Sequence, residues 1–250
     1  MPSSLARPLQ PELDLPPGFT LRRPRPPSDA FGQACREAAP GGAGTLVWSR
    51  SPDLVDLALV LEPEEPLRTA RRAFLACMSA LADAVGSCAP PDKPITLQWP
   101  DTLCFDGARL GGGRLAWPEG CGEEDEPDWL VFGATLIGSK AAAGDPGLTP
   151  ESTSLEEEGF EPADRDRMVG SFARQLLRTL DLWSERGFPA VADGYLRRMA
   201  RDGVRGGRRI DGNGDLLIGP EGGPDEERRA LMAGLRGAAW LDPSTGTPRL

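Results

Sequence analysis

Histidine is absent from this 250-residue chain, and Lys93 and Lys140 are the only lysines among its 28 basic residues. That excludes Ser-His-Asp and Cys-His catalysis, histidine general bases and histidine metal sites. Asp, Glu, Cys, two lysines and many arginines remain for any chemistry. No run of the sequence approaches the roughly 18 apolar residues of a membrane span, and the N-terminal stretch lacks the basic-then-apolar order of a secretory signal. A cytoplasmic protein without membrane contact is expected. The five cysteines, Cys35, Cys77, Cys88, Cys104 and Cys121, follow no disulfide or metal-ligand spacing, which suits a reducing compartment.

The net charge of -10 argues against nucleic acid as a partner, because affinity for a duplex rests largely on neutralising phosphates. An apolar content of 39 % can build one large domain, or a main domain with a small appendage. Pro2, Pro8, Pro11, Pro16, Pro17, Pro24, Pro26 and Pro27 leave little room for a helix or a ladder strand, so residues 1–28 read as an extended arm.

Ser28-Asp29 caps a helix expected to run to Ala39, ended by the Gly-rich run 40–44. Thr45 to Trp48 and Leu54 to Leu61 read as a hairpin turned by Ser51-Pro52-Asp53. Pro66 opens one helix whose apolar stripe, from Ala70 through Phe74, Met78 and Leu81 to Val85, leaves Arg68, Arg71 and Arg72 outside. Three more strands are expected: Ile95 to Trp99, Leu110 to Trp117 after the Asp106-Gly107 turn, and Trp129 to Ile137. The acidic stretch Glu119 to Asp128 reads as a solvated loop. Helices from Asp164 to Arg186 and Phe188 to Ala200 follow, then a Gly-rich hairpin over 208–218 and a short helix from Asp225 to Leu235. The glycines after 202 mark a boundary, giving a main domain at 29–201 and a small domain at 202–250.

Gln98-Trp99-Pro100-Asp101-Thr102, followed seven residues later by Arg109-Leu110-Gly111-Gly112, is the most informative stretch. It resembles the Lys-Trp-Pro-Asn-Asp and Lys-x-Gly-Gly signature of the biotin/lipoate protein ligase superfamily, with both lysines and the Asn-Asp pair replaced. Gly133 to Ile137, Thr153-Ser154-Leu155 and Ile210 to Leu217 are similar to later family landmarks in the same order. Gly42-Ala43-Gly44-Thr45 looks like the strand entry of lipoate ligases. The resemblance implies an α+β fold of the class II synthetase type: a mainly antiparallel sheet backed by helices, with a small C-terminal module.

It also implies ATP-dependent activation of biotin, lipoate or a related acid through an acyl-adenylate, with Mg²⁺, and transfer to a lysine of a biotinyl or lipoyl carrier domain. By the resemblance Arg109 is the catalytic cation. Trp99, Pro100, Asp101, Gly111, Gly112, Gly113, Gly44, Thr45 and Gly133 are then the substrate and nucleotide contacts. Arg109, Gly111, Gly112, Trp99 and Asp101 are expected to line one concave pocket. Arg109 keeps a positive charge but cannot give up a proton. Asp101 puts a carboxylate where phosphates are expected. A non-catalytic binding protein and an ATP-independent acyltransferase with a cysteine nucleophile are the alternatives.

Overall fold

The computed structural model describes residues 13–24, 29–200 and 206–250. Seven strands form one sheet in the order β1-β2-β3-β7-β6-β5-β4: β1 (Thr20–Arg22), β2 (Thr45–Arg50), β3 (Leu54–Leu61), β4 (Ile95–Gln98), β5 (Thr102–Phe105), β6 (Ala108–Ala116) and β7 (Leu130–Ile137). Every neighbouring pair is antiparallel except β1 on β2. The parallel β1 corrects the expectation that this part of the arm has no ladder strand. Gly18 to Arg23, between Pro17 and Pro24, contains no proline, so its backbone donors are free to pair. The rest of the arm, residues 1–12 and 25–28, lies outside the described residues.

Alternation along the strands sorts side chains to two faces. Leu57 and Leu59 on β3, and Phe132, Ala134 and Leu136 on β7, join the larger core with α3 (Ala73–Gly86), α4 (Pro162–Arg186) and α5 (Phe188–Arg198). Phe132 stacks on Phe172 at 5.8 Å and tilts against Phe74 at 5.7 Å. The other face carries α1 (Ala30–Gly41), whose Ala30, Ala34 and Ala38 pack on Val47, Ala58, Val60 and Val131. Asp29 caps α1 by accepting from the Gly32 N–H at 3.0 Å.

Four local readings of the sequence are revised. The helix expected from Pro66 is two pieces, α2 (Leu67–Ala70) and α3, because Arg72, Phe74 and Leu75 bond to carbonyls three residues back and tighten the turn between them. The α3 helix is buried all round, twelve of its fourteen residues being inaccessible, so it is a central helix with no polar face. The Thr102–Phe105 stretch is a strand in its own right, paired on both sides, with a bulge between Leu103 and Cys104. Residues 225–235 hold a strand, β10 (Glu227–Arg229), before the short helix α6 (Leu231–Arg236).

β10 joins β9 (Leu216–Ile218) and β8 (Arg208–Ile210) in a small antiparallel sheet. Leu216, Ile218 and Leu231 bury themselves in the main core, so this region shares its apolar interior with the large sheet. The boundary expected near residue 202 falls among residues 201–205, outside the described ones.

Candidate functional site

The two central motifs meet where β4 passes into β5 and β5 turns into β6. Gln98 is exposed, Trp99 half-buried, and Pro100 and Asp101 buried. The Trp99 ring sets its edge against Tyr195 of α5 at 5.7 Å, and the Tyr195 hydroxyl donates to the Pro100 carbonyl at 2.7 Å. The Asp101 carbonyl accepts from the Gly113 N–H at 2.8 Å, which ties the two motifs together.

The Asp101 carboxyl is only 3 % exposed. Its Oδ1 accepts from the Thr102 hydroxyl at 3.1 Å, while Oδ2 is buried without a partner. Burial pushes its pKa up to about 6, against the opposing pull of Thr102, its own backbone N–H and the neighbouring Trp240 indole. The Trp240 N–H comes close but makes no properly aligned hydrogen bond, and it too is left unpartnered.

Each glycine of the second motif is needed for a different close approach. A Cβ on Gly111, whose φ is +155°, would stand 2.1 Å from the Thr135 carbonyl oxygen. On Gly112 it would meet the Asp101 carbonyl oxygen at 2.4 Å and the Trp240 indole nitrogen at 2.5 Å. On Gly113 it would run into Met78, Phe132 and Phe74 of the helix-covered face.

The expectation of one open pocket lined by Arg109, Gly111, Gly112, Trp99 and Asp101 is therefore corrected. Trp99 turns to the α5 side, and the open side of Gly112 is covered by Trp240, which is fully buried. Half-buried Arg109 reaches along the same C-terminal segment, its Nε donating to the Arg249 carbonyl at 3.2 Å. Gly234 of α6 packs flat on the Pro100 ring.

Gly44 and Thr45 do not join this cluster. They begin β2, three strands from β6 in the sheet order, where Gly44 (φ +81°) leaves room for the Gly18 carbonyl and the Thr45 hydroxyl bonds to Gly41. Gly133 lies under the Phe31 ring of α1. Lys140 is buried and held by Glu157 at 3.0 Å and the Ser152 carbonyl at 2.7 Å. Lys93 pairs with Glu158.

A cleft of about 500 Å³ does open on the α1 face, and composition had not pointed to it. It is lined by Asp29, Leu54, Asp56, Arg114 and Thr135 and, from the C-terminal segment, by Thr245, Gly246 and Thr247. Asp56 accepts from the Ala30 N–H at 2.8 Å and the Thr135 hydroxyl at 3.1 Å, and burial raises its pKa. Arg114 lies over the Phe31 ring at 4.5 Å and bridges to Asp29 at 3.3 Å, while its Nε is buried without a partner. Asp56, a carboxylate inside the apolar run of β3, was the available sequence signal.

Around the two motifs few groups are free to hold phosphate or metal. Asp101 offers a carboxylate with no cation on it, the Gly113 N–H is already committed, and no cluster of three or more His, Cys, Asp or Glu among the described residues could hold a metal ion. The acidic loop shares in this: Glu123 pairs with Arg71, and Glu124 with Arg68. Among the described residues no helix is long and apolar enough to cross a membrane.

The α+β sheet, its helical backing and the paired motifs define a ligase-type fold, and comparison with known proteins agrees. The profile of the Biotin/lipoate A/B protein ligase family matches residues 15–197, and the chain belongs to that family. A biotin--[acetyl-CoA-carboxylase] ligase from Paracoccus denitrificans is 29% identical over 147 residues, 58% of this chain, which thus spans about 60% of that relative's length. The crystal structure of a biotin protein ligase-like protein of unknown function from Silicibacter is 29% identical, with TM-score 0.74 over 89% of this chain and 99% of that one. The biotin protein ligase from Aquifex aeolicus, in complex with biotin and ATP, shares the fold at 14% identity, with TM-score 0.61 over 84% of this chain and 94% of that one.

Proposed function

We propose that this protein binds a biotin- or lipoate-type acid, or the carrier domain that bears one, and has lost ordinary ATP-dependent adenylation. One observation carries the reading: Asp101, buried and without a cation, stands in the motif where the family keeps an amide near the phosphates. A carboxylate there repels the charge that builds up on the α-phosphate, which adenylation must stabilise. The acid as ligand is inferred from the relatives that carry biotin, and the carrier domain from the carboxylase ligase. ATP comes to this chain through the same likeness.

Full adenylating ligation is the second reading, favoured by Arg109, a half-exposed cation beside Gly111 to Gly113. Calorimetry with biotin, lipoate and octanoate, run beside pyrophosphate release with ATP/Mg²⁺, separates the two. Binding without release is expected. Steady release that falls about a hundredfold in Arg109→Ala, the ~3 kcal/mol effect of removing one positioned charge donor, would establish the ligase instead.

A further inference from the structure

The C-terminal hairpin, Ala238 to Leu250, makes contacts that a structural appendage does not need. It inserts Trp240, the largest of the fully buried side chains, against Gly112 beside Asp101. It offers the Arg249 carbonyl to Arg109 and lines one side of the α1-face cleft with Thr245 to Thr247. One segment of thirteen residues thus reaches both parts of the candidate site.

Its hydrogen bonds are mostly internal. The Arg249 N–H bonds to the Trp240 carbonyl at 2.8 Å, the Asp242 N–H to Thr247 at 2.8 Å, and Leu241 bridges to Pro248. Asp242 Oδ1 accepts from both the N–H and the hydroxyl of Ser244, and Gly246 turns with φ +70°. Where it meets the site, by contrast, the polar contact is poor: the Trp240 indole N–H lies against the Asp101 carboxyl, yet neither it nor Asp101 Oδ2 makes an aligned hydrogen bond. A buried polar atom without a partner costs about 1–3 kcal/mol, so the docked hairpin fills its seat without satisfying it.

We infer that the C-terminal hairpin is a built-in occupant of the candidate site, an autoinhibitory segment that must swing out before ligand can enter between β6 and α1. The arrangement is that of an intramolecular competitor: Trp240 takes the space over Gly112, and the Arg249 carbonyl accepts from the Arg109 Nε. The inference rests on the acid-binding reading for the identity of the ligand, though not for the docking of the hairpin.

The test compares wild type with Asp242→Ala/Ser244→Gly, which loosens the turn by removing both partners of the Asp242–Ser244 bonds and adding backbone freedom, at residues outside the cleft lining. Neither substitution touches the core or the motif residues. Hydrogen exchange over 238–250 reports docking, calorimetry with biotin and with lipoate reports access, and a synthetic peptide of residues 238–250 is added in trans. The variant should lose protection in the hairpin alone, bind an acid at least tenfold more tightly than wild type, and release that acid to the peptide.

Faster exchange with unchanged acid affinity overturns the inference. So does hairpin exchange in wild type at the rate of a free peptide. If neither protein binds biotin or lipoate, the acid-binding reading falls by itself and the peptide decides the inference: saturable binding to the variant but not to wild type upholds it, and no binding overturns it.

Discussion

On one face of the sheet Phe74, Phe132 and Phe172 pack ring to ring under α3 and α4; on the other, Asp56, Arg114 and Thr135 share the space with α1 and the C-terminal hairpin, whose Trp240 lies beside Asp101. Of the five buried polar side-chain atoms left without a partner among the described residues, Asp101 Oδ2, Arg114 Nε and Trp240 Nε1 lie on the second face. Residual polarity of this kind is what a fold retains where something else is to bind, and close aromatic packing is what it uses where nothing is. The same strands make both faces, because side chains alternate along them.

The contrast can be broken by substitution. Phe132→Ala should lose ~3–5 kcal/mol, seen as a fall in the denaturant midpoint, since the ring is fully buried between two others. A loss under 1 kcal/mol would mean that the helix-covered face is not the stability core.

Asp101→Asn should act in the opposite direction and only above acidic pH. Burial raises this group's pKa from 3.8 to about 6, so its favourable contribution, the neutral acid, is complete below pH 3.8 and is lost as pH rises through about 6. The amide should therefore gain on the order of 2–3 kcal/mol at pH 8 and almost nothing at pH 4. Melting curves of both proteins at the two pH values check it, and a gain that does not vary with pH would show that Asp101 is not the titrating group.

Gly112→Ala should lose about 1–3 kcal/mol by overpacking. Trp240→Ala in the same chain should recover only part of this, because the Asp101 carbonyl oxygen still stands 2.4 Å from the new methyl. Full recovery in a double-mutant cycle would place the whole conflict on the hairpin. Smallest of all, Arg68→Ala breaks an exposed pair with Glu124 and should change stability by under ~0.5 kcal/mol in thermal melts.

Most of the helix-covered face was legible in the sequence, because apolar residues at two-residue and three-to-four-residue spacing state directly which side they bury. The hairpin β2–β3, the long helix α4 and the family itself were readable this way or from motif order. The break between α2 and α3 was not, since it depends on three-residue-back hydrogen bonds that leave no mark on composition. β5 was hidden by its brevity, four residues between a motif and a turn.

For the site, the motifs showed which backbone segments meet but not what covers them. Trp240 lies more than a hundred residues beyond Gly112, and no local periodicity links the two. Gly44 and Thr45 illustrate the converse: a glycine next to a strand reads like a ligand loop, while its actual neighbour is the Gly18 carbonyl.

The two outermost strands of the large sheet bear on how the molecule behaves at high concentration. A bare strand edge offers unpaired N–H and C=O groups to any similar strand nearby and so invites fibrils or swapped dimers. Here β1, three residues long and bounded by Pro17 and Pro24, lies along β2 and is too short to template another chain. At the opposite margin the Ala200 N–H bonds to the Leu97 carbonyl at 2.9 Å, so the chain leaving α5 closes off β4. A sheet finished at both margins in this way keeps its ladder for itself, and at the β4 margin the closing bond lies directly before the first motif, at Leu97.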